Sequence, residues 1–106
     1  MKVQFYLKNL DIPELLKTQI EERLEAIKKY KGSVAVLNVR VDISRDQHHR
    51  KGDVFRVEVN VDLPGKLLRA AETGSDILSA LDVVAKKLER QARDAKERLV
   101  SRKKRG

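Results

Sequence analysis

Apolar and polar residues alternate along four segments of the chain, which is the period of a half-buried β-strand. In the first of them, Val3, Phe5 and Leu7 would face one side of a sheet and their neighbours the other. The segments are residues 2–8, 34–44, 54–62 and, with weaker alternation, about 66–72. Val34 and Val36 are out of phase with the rest of the second segment, which indicates a bulge near Leu37.

Two longer segments carry apolar residues three or four positions apart and predict amphipathic helices. Asp11 is the expected cap of the first helix, with Pro13 in its first turn and Glu14 three residues after Asp11, as in a capping box. Gly32 is its expected stop. Residues 73–76 start the second helix. The second apolar stripe consists of Ile77, Leu81, Val84, Leu88, Ala92, Ala95 and Leu99.

The connections between these segments limit the topology. Residues 45–53 are polar and basic and predict a long hairpin loop, whereas residues 63–66, with Pro64 followed by Gly65, predict a tight turn. The expected fold is therefore α+β, in the order β-α-β-β-β-α. It has a four-stranded mixed sheet, a parallel pair between the first two strands, and both helices packed on one face. Residues 1–100 form one domain, and residues 101–106 form a basic, frayed tail.

The composition narrows the classes of function. The 106 residues contain 24 Lys and Arg against 16 Asp and Glu, so the net charge of +8 favours a polyanionic partner. The chain contains no Cys, which excludes disulfides, thiol catalysis and cysteine-based zinc sites. No apolar run approaches the roughly 18 residues of a membrane span, and the N-terminal apolar stretch is too short for a signal peptide. We therefore expect a cytoplasmic protein that is not associated with membranes.

Most of the excess charge lies in the second helix and the tail. Residues 85–106 contain ten Lys or Arg and three acids, a local excess of seven. On a helical wheel with Lys86 at 0°, Arg90 falls near 40° and Arg93 near 340°, while the apolar stripe centres near 200°. Lys87 and Arg98 flank this row on one side and Lys96 on the other. Such a row, with its residues about one turn apart, can follow successive phosphates.

Several of these residues also allow other interpretations. A charged helix face is usually a solvated face with compensating pairs, and the first helix, where basic and acidic residues nearly balance, fits that description. His48 and His49 are adjacent and lack supporting ligands, so we expect no metal site and no cofactor. Tyr6 is either an ordinary strand residue or a residue that stacks on a base. No catalytic constellation is present, so an enzyme is not expected.

A family resemblance makes the expected partner more specific. The second helix begins Thr73-Gly74-Ser75-Asp76-Ile77-Leu78-Ser79-Ala80-Leu81-Asp82 and continues Lys86-Lys87-Leu88-Glu89-Arg90-Gln91. These stretches resemble the signature of the ribosome hibernation-promoting factor and ribosome-associated inhibitor family, as does the acid-led first helix. Two positions depart from the family pattern, because Leu78 replaces a common aromatic residue and Lys86 replaces an acid.

The resemblance implies a domain similar to double-stranded-RNA-binding folds. It also implies a hibernation factor that binds ribosomal RNA of the small ribosomal subunit in the mRNA and tRNA channel near the decoding region. Such a factor inhibits translation in starved or stationary-phase cells. Carried over by position, the RNA contacts are Lys86, Lys87, Arg90 and Arg93, with Lys96 beside them and Arg23 and Lys28 of the first helix as weaker candidates.

The length of the chain is that of the family's short form, so we expect no dimerisation domain of its own. Two alternatives remain open from the residues. One is a general structured-RNA-binding module that acts away from the ribosome. The other is a regulatory module whose basic face binds an acidic protein.

Overall fold

A computed structural model describes residues 3–30, 36, 38–46, 52 and 54–105, with side chains described except at 26–30 and 95–105. The elements follow the predicted order. They are β1 (Val3–Lys8), α1 (Glu14–Tyr30), β2 (Asn38–Asp46), β3 (Val54–Leu63), β4 (Lys66–Gly74) and α2 (Ile77–Arg105). The sheet has the strand order β1-β2-β3-β4, with β1 parallel to β2 and the other pairs antiparallel. The predicted four-stranded mixed sheet is thus confirmed.

The core lies between the sheet and the two helices. Alternate residues of β2 and β3, such as Val41 and Val59, are fully buried, and they pack with Ile20 of α1 and with Leu81 and Leu88 of α2. The stripe predicted for α2 is buried at every position from Ile77 to Ala92. Burial of aliphatic side chains is the main stabilising term in a domain with so few aromatic residues. Among the described residues, neither helix is long and apolar enough to cross a membrane.

The turns and caps show where local chemistry determines the chain path. Gly65 has a φ of 72° in the turn that pairs Leu63 with Lys66, as expected for a glycine after Pro64. Asp76 caps α2, because its Oδ2 accepts hydrogen bonds from the Ser79 amide at 3.0 Å and from the Ser79 hydroxyl at 2.7 Å. The Ser79 hydroxyl and amide together lower the pKa of Asp76.

Two element boundaries differ from those predicted, and three other predicted features cannot be compared in full with the structure. The helix α1 begins at Glu14, and the carbonyl of Pro13 accepts the first hydrogen bonds, so Pro13 and not Asp11 precedes the helix. The backbone of α2 continues to Arg105, beyond the predicted end at residue 100, since no Gly or Pro interrupts it and Lys and Arg are good helix formers. The predicted bulge near Leu37, the stop at Gly32 and most of the 45–53 loop lie outside the described residues.

The sheet face that points away from the helices, which we call the open face, is polar. Its most buried charged residue is Glu58, which is 9% exposed and accepts hydrogen bonds from Arg69 at 2.9 Å and from Arg56 at 3.4 Å. Burial raises the pKa of Glu58, but the hydrogen bonds and charges of the two arginines outweigh it, and the pKa lies below its usual value.

Lowering the pH should therefore reduce the free energy of unfolding, because it protonates Glu58. Because its pKa is lower in the folded state than in the unfolded state, the ionised carboxylate stabilises the domain fully above the unfolded value near 4.5. That stability is lost as the pH falls through the lower, folded value. Urea unfolding between pH 7 and pH 3 should show a smaller decline in the free energy of unfolding for Glu58→Gln than for the unmodified protein. Equal declines would contradict this assignment.

Candidate nucleic-acid interface

The exposed side of α2 carries the row of basic residues that the wheel predicted. Lys86, Arg90 and Arg93 are all exposed, and Leu88, on the opposite side of the helix, is fully buried. From Lys86 to Arg93 the helix rises about 10 Å. Within the described part of the chain, Lys86 and Arg90 make no ion pair, so both charges are available to a ligand. A rigid helix thus presents basic side chains about one turn apart.

Lys87 has a different environment from the row. Its Nζ donates to the carbonyl of Ala71 at 3.1 Å and lies 3.2 Å from Oε2 of Glu72, both on β4. The Thr73 amide and then the Lys87 ammonium lower the pKa of Glu72. Lys87 is therefore tied to the sheet edge, whereas the sequence predicted an RNA contact. Its side chain remains about half exposed, and the RNA contact stays a prediction.

Gln91 fixes the same edge of the sheet. Its Nε2 donates to the carbonyl of Arg69 at 2.8 Å, and its Oε1 accepts from the amide of Arg69 at 3.2 Å. The side-chain amide thereby satisfies both main-chain groups that Arg69 would offer to another strand. Sequence reasoning did not identify this role. The available signal was the position of Lys87 and Gln91, four residues apart, between the apolar stripe and the basic row.

Removal of the Gln91 side-chain amide should destabilise the edge of the sheet at β4. We expect Gln91→Ala to lower the free energy of unfolding by about 1–2 kcal/mol, because two hydrogen bonds to the edge strand are lost. The amide of Arg69 should exchange with solvent deuterium faster than in the unmodified protein. Glu22→Ala, at an exposed position of α1, is the matched control and should leave both quantities nearly unchanged. Unaltered Arg69 exchange in Gln91→Ala would show that the hydrogen bonds do not close the edge.

The two helices are joined beside the row. The guanidinium of Arg23 on α1 forms an ion pair with the carboxylate of Asp82 on α2, and both side chains are partly exposed. Arg23, a predicted RNA contact, therefore lies next to the α2 surface and is already paired. Lys28 and Lys96 lie on α1 and α2, but their side chains are outside the described part of the structure. The structure thus brings Arg23, Lys86, Arg90 and Arg93 to one side of the molecule, away from the sheet.

The described part of the chain offers no cluster for a metal ion. There, no group of three or more His, Asp and Glu residues lies close enough together to hold one. His48 and His49 lie outside the described residues.

The fold and this surface define a class: a small α+β domain whose second helix presents a basic face suited to a polyanion. Residues 3–100 match the family described as Sigma 54 modulation protein / S30EA ribosomal protein. The chain belongs to this family, which confirms the resemblance inferred from the second helix.

Curated relatives and solved structures agree with this assignment. The chain is 27% identical over 99 residues to a ribosome hibernation promotion factor of Deinococcus radiodurans, covering 93% of this chain and 51% of the relative. It is 31% identical over 93 residues to a protein of the same name from Staphylococcus aureus, covering 86% and 46%. The chain therefore spans about half the length of these relatives.

Among solved structures, the N-terminal domain of Protein Y from Thermus thermophilus has a TM-score of 0.70 and 28% identity, covering 87% of this chain and 96% of that domain. A ribosomal subunit interface protein from Coxiella burnetii has a TM-score of 0.76 and 24% identity, covering 92% and 99%. The second likeness shows the fold alone.

Proposed function

We propose that this domain is a ribosome hibernation factor that binds the small ribosomal subunit in the mRNA and tRNA channel near the decoding region. The observation that carries the proposal is the outward row on α2 in a chain of this family. Within the residues that the structure describes, Lys86 and Arg90 of this row make no ion pair. The name shared by the two curated relatives, ribosome hibernation promotion factor, supports the same process.

The mechanism is steric and requires no catalysis. Phosphates of ribosomal RNA would pair with Lys86, Arg90 and Arg93, and the compact domain would then occupy space that mRNA and tRNA need. Arginine adds bidentate contact with phosphate oxygens, which lysine cannot make. Inhibition of translation under starvation or in stationary phase follows from this occupancy, and the site of action is the cytoplasm, where ribosomes work.

Competition tests this proposal. Purified small subunits should bind the protein and sediment with it through a sucrose gradient, and excess mRNA with tRNA should displace it. Binding that mRNA and tRNA leave unchanged would support instead a structured-RNA-binding module acting elsewhere. Recovery of a protein partner that survives nuclease treatment, without any sedimentation with subunits, would support a protein-interaction module.

A further inference from the structure

The open face carries a stacked pair of side chains on the side of the sheet opposite α2. The guanidinium carbon of Arg40 on β2 lies 3.9 Å from the centre of the Tyr6 ring on β1. Nε of Arg40 also donates to the two carboxylate oxygens of Asp42 at 3.1 and 3.2 Å. Because the ring and the carboxylate both hold it, the guanidinium is fixed in place although its side chain is about half exposed.

The carboxylate and guanidinium side chains around this pair differ in how far they are exposed to solvent. The side chain of Glu58 is 12% exposed, while those of Arg56 and Arg69, which pair with it, are 50% and 64% exposed. Asp42 is likewise less exposed than Arg40. The carboxylates of Asp42 and Glu58 therefore lie beneath the guanidinium groups that pair with them. Those guanidinium groups and the Tyr6 ring are exposed on the open face.

We propose that Tyr6 and Arg40 form a stacking site for an unpaired nucleobase of single-stranded RNA. This inference rests on the proposed function in taking RNA as the ligand, but it assigns a second surface, separated from the α2 row by the sheet. The base would lie on the exposed side of the Arg40 guanidinium or against the uncovered part of the Tyr6 ring. Lys8, exposed on the same face, is placed to contact a flanking phosphate.

The chemistry favours a base over an acidic peptide. A carboxylate ligand binds the hydrogen-bonding edge of a guanidinium, and part of that edge is already in use, because Nε of Arg40 is bonded to Asp42 and Nε of Arg69 to Glu58. What the pair offers to solvent is flat π surface, which every base can stack on irrespective of sequence. The site would thus add contact with a single strand without reading its sequence.

Tyrosine emission gives a direct test, because the chain has two tyrosines and no tryptophan. In a Tyr30→Phe background of the full chain, Tyr6 is the only strong emitter. Hexaadenylate should quench it saturably. Arg40→Lys keeps the charge but removes the planar group, and should weaken the binding about tenfold. Arg69→Lys, the same change two strands away on the same face, is the matched control and should have an effect of less than about twofold.

The outcomes separate this site from the proposed function. The stacking site would be overturned if hexaadenylate did not quench the Tyr6 emission saturably. It would also be overturned if Arg40→Lys bound hexaadenylate as tightly as the Tyr30→Phe background. The stacking site would also be overturned if the Lys86→Glu/Arg90→Glu variant lost its affinity for hexaadenylate and Arg40→Lys kept it, because the oligonucleotide would then bind α2. Sedimentation of the protein with small subunits would not be affected by that result. Quenching that depends on Arg40, in a protein that does not sediment with small subunits, would support the stacking site and remove the proposed function.

Discussion

Reversing Lys86 and Arg90 to glutamate should weaken binding to small ribosomal subunits by about a hundredfold at moderate salt. In the proposed function, each reversal would remove a phosphate contact and place a negative charge beside the RNA backbone. The slope of log affinity against log salt concentration should also fall by about two units, since two fewer counterions are released on binding. Both side chains are exposed on α2, so the fold should survive the change. Filter binding over a salt series measures both quantities.

The control for this variant has the same change in net charge at a different place. Lys17→Glu/Lys66→Glu alters α1 and the turn before β4, and neither position belongs to the α2 row. It should weaken binding only through the long-range field, by less than about tenfold. Equal losses in the two variants would show that net charge, and not the row, determines binding.

Replacing Leu88 with alanine should destabilise the domain far more than the loss of the Gln91 amide. Leu88 is fully buried between α2 and the sheet, and a leucine truncated in such a place loses about 2–5 kcal/mol of unfolding free energy. Since a domain of this size is stable by about 5–15 kcal/mol, the melting temperature should fall by at least about 10 °C. Calorimetry or thermal unfolding followed by circular dichroism measures the change.

Leu15 provides the matched control. It is also a helical leucine, but it is 71% exposed on α1, so Leu15→Ala should alter the free energy of unfolding by no more than about 0.5 kcal/mol. If the two variants unfolded at similar temperatures, α2 would not be packed through Leu88, and the orientation of the basic row would lose its structural basis.

Much of this fold could be predicted because its periodic signals are strong. The alternation in β3 and the stripe of α2 each specify one buried face, and Pro64 followed by Gly65 specifies a turn between antiparallel strands. The boundaries were harder to predict. The start of α1 depends on which carbonyl accepts the first helical hydrogen bond, and several residues near it have suitable chemistry.

The sequence predicted which side of α2 carries the candidate site, but it did not predict the partners of the individual side chains. The outward position of Lys86 and Arg90 follows from helical geometry alone, because the buried stripe determines which side of α2 faces solvent. The pairing of Lys87 with Glu72 and of Arg23 with Asp82 joins residues far apart in sequence. Such pairs depend on how α2 lies against β4 and α1, which a single sequence does not specify.

Gln91 and Lys87 connect the fold to the proposed binding surface. By holding α2 to the edge of β4, they fix the rotation of the helix about its own axis. That rotation, together with the buried stripe, determines that Lys86 and Arg90 face solvent and not the sheet. The hydrogen bonds made by Lys87 and Gln91 therefore position the charges of Lys86 and Arg90, which belong to the same stretch of α2.

Electron cryomicroscopy of the protein bound to small subunits tests most directly whether the α2 row binds ribosomal RNA in the channel for mRNA and tRNA. We predict density for the domain in that channel, with Lys86, Arg90 and Arg93 against the ribosomal RNA backbone. A domain bound outside the channel, or one inside it with α2 turned away from the RNA, would contradict the proposed mechanism.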